Sequence, residues 1–389
     1  MSWRINRETP ANYCKVCGKR KTMVSKTLGV CVECIRHNPE ASQPYIASAH
    51  HQLRMRAGLP PAPPNTMGGI RCSLCANQCS IGKGEKGYCG LRWNDEGLKS
   101  IVDPDRGLLY YYLHPHVTNC CAAWFCPGGT GSGYPAYARR PGPETGYLNL
   151  SVFLYGCNFN CLYCQNASHK QLGEGDVLTA ERLARQVEHN DDITCICYFG
   201  GNPEPQLPYT INASRLASEY ARGRILRLCW EWNGCGEPSL VDQAAELALM
   251  SGGNLKFDLK CHTPSLSLAL SGVDNERAYS NFELVASKHY HRRPGSPVLT
   301  ASTLIVPGYV DAYEVERVAG FIAGLDRSIP YSLLVFHPDY AMRDLPVTPL
   351  RQMQECYLAA SELLDNVKVG NLHTLGMRGM ADFLGSLPR

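Results

Sequence analysis

Leu148-Asn-Leu-Ser-Val-Phe-Leu-Tyr155-Gly156-Cys157-Asn-Phe-Asn-Cys161-Leu-Tyr163-Cys164-Gln165-Asn166 is a β-like run that ends directly on three cysteines spaced Cx3CxxC. A [4Fe–4S] cluster needs four ligands, normally cysteine thiolates. Three in one tight loop leave one iron open to a small chelating molecule. A loop of structural cysteines or a zinc site is the alternative for the triplet in isolation. Its place at the end of a strand is what separates the two readings.

Outward from this stretch, the β-like runs continue at 194–199, 225–232, 255–259, 298–306, 332–336 and 367–369. Helical patterns lie between them at 180–188, 213–222, 240–250, 275–287, 315–325 and 350–364. Strands alternating with helices of this length mean βαβ units and a parallel sheet. The expected fold class is α/β, a partial (β/α)6-type barrel with an N-terminal Cys-rich metal-binding extension. In barrels the chemistry sits at the C-terminal ends of the strands, where the triplet lies. Three regions are expected: a small separate module and stiff proline-rich linker (1–66), a Cys-, Gly- and Tyr-rich region of little periodicity (67–146), and the barrel (147–389).

The chain of 389 residues holds 20 cysteines, eleven of them before residue 130. A net charge of +3 without long runs of one sign speaks against a polybasic nucleic-acid or membrane-surface binder. No apolar run approaches the roughly 18 residues of a membrane span, and residues 1–14 lack the apolar core of a secretory signal. The expected address is therefore cytoplasmic. There thiols stay reduced, so so many cysteines point to metal.

The triplet resembles that of the radical S-adenosylmethionine (SAM) superfamily, in particular the branch of pyruvate formate-lyase activating enzyme and the AmmeMemoRadiSam-system proteins. Later stretches fit in order: Gly200-Gly201-Asn202-Pro203-Glu204-Pro205, Glu231-Trp232-Asn233-Gly234 (Trp where the family has Thr), Asp258-Leu259-Lys260, then Pro307-Gly308-Tyr309, 336–340 and 370–373. The resemblance covers roughly 67–373. It implies a catalytic cluster on Cys157, Cys161 and Cys164, whose open iron takes the amino and carboxylate groups of SAM. Reduction then breaks the S–C5′ bond to give a 5′-deoxyadenosyl radical. Tyr163, Gly200, Gly201, Asn202, Glu204, Asn233, Asp258 and Lys260 are the implied cofactor-binding residues. Gly200-Gly201 could equally be a strand-to-helix turn, and Asp258 and Lys260 a structural ion pair.

In the front half, Cys14, Cys17, Cys31 and Cys34 have zinc-ribbon spacing. Cys72, Cys75, Cys79 and Cys89, with Gly84, Gly87 and Arg92, resemble the Cys-rich preface of the same branch and suit zinc or an auxiliary iron–sulfur cluster. Cys120, Cys121 and Cys126 lie outside that pattern; Cys120 and Cys126 are candidate ligands, and a Cys-Cys pair leaves one thiol spare. Cys195, Cys197, Cys229, Cys261 and Cys356 read as buried small apolar residues, and Cys235 as a thiol at the barrel mouth.

The resemblance leaves the substrate open. A protein substrate, with ferredoxin or flavodoxin as the low-potential donor, follows from the activating-enzyme branch. The chain is also similar to methanogen enzymes that C-methylate methyl-coenzyme M reductase, which implies a glutamine Cα as target and methylcobalamin as methyl source. No Asp-x-His-x-x-Gly cobalamin signature is present. The alternatives are a glycyl-radical-enzyme activase, although the ferredoxin-like insertion many activases carry after the triplet is missing, and a radical enzyme acting on a small molecule.

Overall fold

The computed structural model describes residues 12–21 and 23–388; the opening stretch read against a secretory signal lies largely outside them. Nine strands form one sheet: β1 Arg106–Pro115, β2 Leu148–Leu154, β3 Asp176–Thr179, β4 Ile193–Gly200, β5 Arg227–Trp232, β6 Leu255–Asp258, β7 Leu299–Ile305, β8 Tyr331–Val335 and β9 Val367–Gly370. Their spatial order is β9-β8-β7-β6-β5-β4-β2-β1-β3. All neighbours from β2 to β9 are parallel, and β1 is antiparallel to both β2 and β3. The sheet is therefore open between β3 and β9 rather than closed. Six crossovers carry the helices 180–189, 207–220, 238–251, 276–289, 312–325 and 350–361 between successive parallel strands.

Strand alternation explains how the sheet is used. Leu150, Val152, Leu228, Trp230, Leu255 and Phe257 point to one face and are buried in the main apolar core. Their neighbours in sequence, Ser151, Cys229, Glu231, Lys256 and Asp258, point to the other face and line cavities. Because residues two apart share a face, polar and apolar rows separate cleanly. The helices pack on the apolar row. One example is the helix Ala180–His189, which buries Leu183, Ala184 and Val187 and is capped by Thr179 Oγ1 accepting from Arg182 N.

The separate N-terminal module expected from the sequence is instead joined to the barrel. A single apolar core runs from Cys14 to Phe383. Tyr309 Oη donates to Val30 O and accepts from Ser25 N, both at 3.0 Å. Arg36 binds Asp311 through two nitrogens, at 2.7 and 2.9 Å, and Glu314 at 2.9 Å. The polar run read as leading into a linker contains the 18-residue helix Pro39–Arg56. Its buried stripe mixes Ile46 and Ala49 with Ser42, His50 and Arg54, so an apolar period is hard to find there. Region 67–146 likewise contains the ten-residue strand β1, which shows no alternation because Tyr110, Tyr112 and Leu113 remain partly exposed. Among the described residues no helix is long and apolar enough to cross a membrane.

Candidate active site

Chain reversal after β2 is made by Gly156, with φ of +80°, a conformation that a side chain disfavours. A Cβ here would sit 3.0 Å from Leu91 and 3.2 Å from Cys89 O. The loop that follows is stitched to the helix 264–271: Asn160 N donates to Ser271 O at 2.8 Å and Leu162 N to Leu270 O at 2.9 Å. Phe159 and Leu162 are buried and anchor it. Asn160 is held on both sides. Its Nδ2 donates to His50 Nδ1 at 2.8 Å, and its Oδ1 accepts from Lys170 Nζ at 2.8 Å. His50 Nε2 in turn lies 3.1 Å from Ala269 O. The N-terminal helix thus reaches the triplet loop, a contact that sequence spacing does not reveal.

Cys157, Cys161 and Cys164 line a cavity of about 600 Å3 at the C-terminal ends of the strands. Burial pushes the Cys157 thiol well up and the Cys164 thiol to about 11. Thiolates form there only with compensation, and a bound metal supplies it. The same cavity is lined by Tyr163, Gly200, Gly201, Asn202, Asn233, Asp258 and Lys260. Asp258 and Lys260 form an ion pair, and Lys260 Nζ lies 5.8 Å from the Tyr163 ring centre. The glycines also serve close packing: a Cβ on Gly200 would sit 2.6 Å from Leu154 N, and one on Gly201 2.3 Å from Gly156 O. Three buried polar atoms of cavity-lining residues, Trp232 Nε1, Asp258 Oδ1 and His169 Nδ1, have no protein partner. Three thiols grouped with the Asp258–Lys260 pair in one cavity form a donor set that fits an iron–sulfur cluster and a polar ligand such as SAM.

Glu204 lies apart from these. It is fully buried behind Asn202 and accepts from Asn202 Nδ2 and, at 3.1 Å, from Asn158 Nδ2. Asn158 Oδ1 accepts from Asn202 Nδ2 at 2.7 Å and from Asn233 Nδ2 at 2.9 Å. The carboxyl thus positions three asparagines across three strand ends. Burial raises its pKa to about 7 against opposing amide hydrogen bonds. A raised folded-state value adds stability below the unfolded value, which is lost as pH climbs through about 7. Glu204→Gln is expected to flatten the stability profile between about pH 4.5 and 7, read as Tm against pH.

Two other thiol groups converge. The Sγ atoms of Cys14, Cys17, Cys31 and Cys34 all lie within 4.8 Å of one another, with Cys14 to Cys34 at 3.7 Å. A Zn–S bond of about 2.3 Å in a tetrahedron gives an S···S edge of about 3.8 Å, so one ion fits. Burial opposes ionisation of Cys14, but backbone amides around its sulfur hold its pKa down to about 6. Cys72, Cys75, Cys79 and Cys89 line one small cavity of about 10 Å3.

Several readings of individual cysteines differ from what the structure places. Cys120 and Cys121 both lie within 4.8 Å of a Glu231 carboxylate oxygen, and of the two only Cys120 also lines the second cavity. Cys195, Cys197 and Cys229 do not sit in apolar surroundings but line a second cavity with Lys256 and Glu231. Strand parity carried that signal, since Cys229 and Glu231 alternate with Trp230. Cys235, expected at the mouth, is fully buried in the main core, as are Cys261 and Cys356. Tyr309 of Pro307-Gly308-Tyr309 docks the N-terminal module rather than facing the cavity.

Residues 151–315 match the model of the radical SAM superfamily. An uncharacterized protein of Methanocaldococcus jannaschii is 25% identical over 78% of this chain and 81% of its own length. Two further proteins of that organism carry the provisional name glycyl-radical enzyme activating enzyme. They are 22% identical over 57% of this chain and 88% of theirs, and 23% identical over 47% and 66%. Among solved structures, Streptococcus suis SuiB bound to S-adenosylmethionine is 14% identical with a TM-score of 0.42, over 57% of this chain and 49% of that one. The thiol triplet at the first parallel strand's end and the family match together make residues 151–315 a radical SAM domain.

Proposed function

We propose that this enzyme abstracts hydrogen from a residue of a protein substrate, with Cys157, Cys161 and Cys164 holding the catalytic [4Fe–4S] cluster. The observation that carries the reading is the convergence of the triplet with unpartnered polar atoms in one cavity at the strand ends. When bound, the cluster and SAM supply the reducing electron and the 5′-deoxyadenosyl radical. The chain's own residues orient and shield. Asn202 and Asn233, bound to one another and to Asn158, fix the shape of the cavity wall beside the triplet. Lys260, paired to Asp258, offers a cation beside Tyr163. The parallel strand ends form the floor of the cavity.

A protein substrate is supported by the names of the two activating-enzyme relatives and by the open edge of the sheet. Cobalamin-dependent C-methylation of a glutamine is the narrower form of this reading. Ferredoxin or flavodoxin is the expected donor. The test is anaerobic reconstitution, reduction, and addition of SAM with deuterated candidate peptides, with and without methylcobalamin. Deuterium in 5′-deoxyadenosine from a peptide supports the reading. S-adenosylhomocysteine formed only with methylcobalamin selects methylation. Deuterium transfer from a small molecule, with none from any peptide, would overturn the protein substrate.

The four N-terminal thiols are assigned to one structural zinc ion, and Cys72, Cys75, Cys79 and Cys89 to a second metal centre. Cys31→Ser is expected to lose one zinc per chain and lower Tm, because structural zinc contributes folding energy directly. Elemental analysis with a thermal scan checks both.

A further inference from the structure

Inside a (β/α) barrel the strand residues facing inward are usually bulky and aliphatic, and they fill the interior. Here that row is different below the active-site cavity. Cys197 sits directly across from Cys229, and Cys195 across from Arg227, on neighbouring strands β4 and β5. Cys195 and Cys229 place their sulfurs 3.8 Å apart, about the edge of a tetrahedral thiolate site. From the other side the loop 117–127 brings in Cys120 and Cys126. These five thiols line one inner cavity of about 290 Å3. It adjoins the active-site cavity, with Asn119, Cys120, Glu231 and Lys256 lining both.

A second, independent observation points to an occupant. His116 Nε2, Asn149 Oδ1 and Asn254 Nδ2 are buried without any hydrogen-bond partner in the protein. Their residues are 8%, 5% and 1% exposed, and all three line this same cavity. Orphaned buried polar groups are costly unless something meets them, and here three surround one space. The lining carries charge as well. Lys256 Nζ donates to Cys120 Sγ at 3.1 Å and Cys197 Sγ at 3.2 Å, and pairs with Glu231 at 2.6 Å. Asn254 N already points at Cys229 Sγ, at 3.4 Å. An ammonium and amide N–H groups aimed at sulfur are what anionic thiolates or sulfides need around them.

We infer that the inner cavity is a further thiophilic metal site, ligated from among Cys120, Cys126, Cys195, Cys197 and Cys229 and separate from the triplet. Thiolate sites select zinc, copper(I) or iron–sulfur clusters over hard cations. His116 supplies an imidazole nitrogen in the same space. This centre lies in the barrel interior rather than in the Cys-rich extension, and it does not depend on which substrate the enzyme takes.

The test compares the anaerobically purified full chain with its Cys197→Ala/Cys229→Ala variant for iron, zinc, copper and acid-labile sulfide per chain. Both positions are small and buried, so alanine keeps most of the packing. The variant is expected to lose one centre while the triplet's cluster signal in EPR is retained. Loss of iron with sulfide would identify a cluster; loss of zinc or copper alone would identify an ion. Equal metal and sulfide contents in the two proteins would overturn the inference. So would an equal fall in Cys356→Ala, whose thiol lies in the apolar core. If the double variant does not fold, Cys120→Ala/Cys126→Ala removes both loop thiols of the cavity and reads the same quantity, and unchanged content there is likewise disproof.

Discussion

Alanine at Cys157, Cys161 or Cys164 is expected to reduce 5′-deoxyadenosine formation from SAM to background, measured by mass spectrometry after anaerobic reconstitution and reduction. The triplet supplies three thiols from one loop to the strand-end cavity, and that loop is fixed through Ser271, Leu270 and His50. It therefore has little freedom to recruit a substitute ligand. Cys161 and Cys164 are only partly buried, so their loss removes little packing, and circular dichroism should report an unchanged fold. Iron content should fall in the same variants. Product formation retained in all three would mean that the cluster is held elsewhere, and the central reading would fail.

Glu144→Gln should produce the largest loss of stability of any single conservative change. Glu144 and Arg227 are fully buried and joined through both carboxylate oxygens, at 2.8 and 2.6 Å. Thr194 Oγ1 donates to Glu144 at 2.7 Å, Arg139 N does so at 2.7 Å, and Arg227 also donates to Tyr137 O at 2.9 Å. This group ties the segment 116–147 to the lower ends of β4 and β5. Removing one charge leaves the guanidinium buried and unpaired, which costs about 3–5 kcal/mol. The expected result is a large drop in Tm or denaturant midpoint, with a smaller drop for exposed pairs such as Lys83–Glu96. Burial opposes ionisation of Glu144, but Arg227 outweighs it and holds the pKa below the ordinary value. A depressed folded-state value means that this stabilisation is present above the unfolded pKa and fades as pH drops through the acidic range. A variant as stable as the native chain would contradict the assignment.

Much of the barrel was legible because its strands alternate. Leu-Asn-Leu-Ser at 148–151, Leu-Cys-Trp-Glu at 228–231 and Leu-Lys-Phe-Asp at 255–258 each put apolar side chains under helices and polar ones in the interior. The triplet and the later landmarks fell at strand ends for the same reason. What spacing could not give was contact between distant segments. His50 beside Asn160, Arg36 on Asp311 and Glu144 on Arg227 join residues 83 to 275 positions apart. The helix 39–56 stayed hidden because polar residues fill part of its buried stripe. The strand thiols were misread because cysteine is small and often buried as an apolar residue, and only the neighbouring Glu231 and Lys256 reveal the surroundings.

The two-sided character of the sheet has an evolutionary consequence. Cohesion comes from the outer row, where Trp230, Phe257 and Leu333 are fully enclosed by helices. The inner row faces space, and changing Ser302, Ser332 or Lys368 removes little of that enclosure. Descendants of this chain could therefore trade one reaction for another by rewriting alternate residues, while the intervening ones keep the scaffold standing.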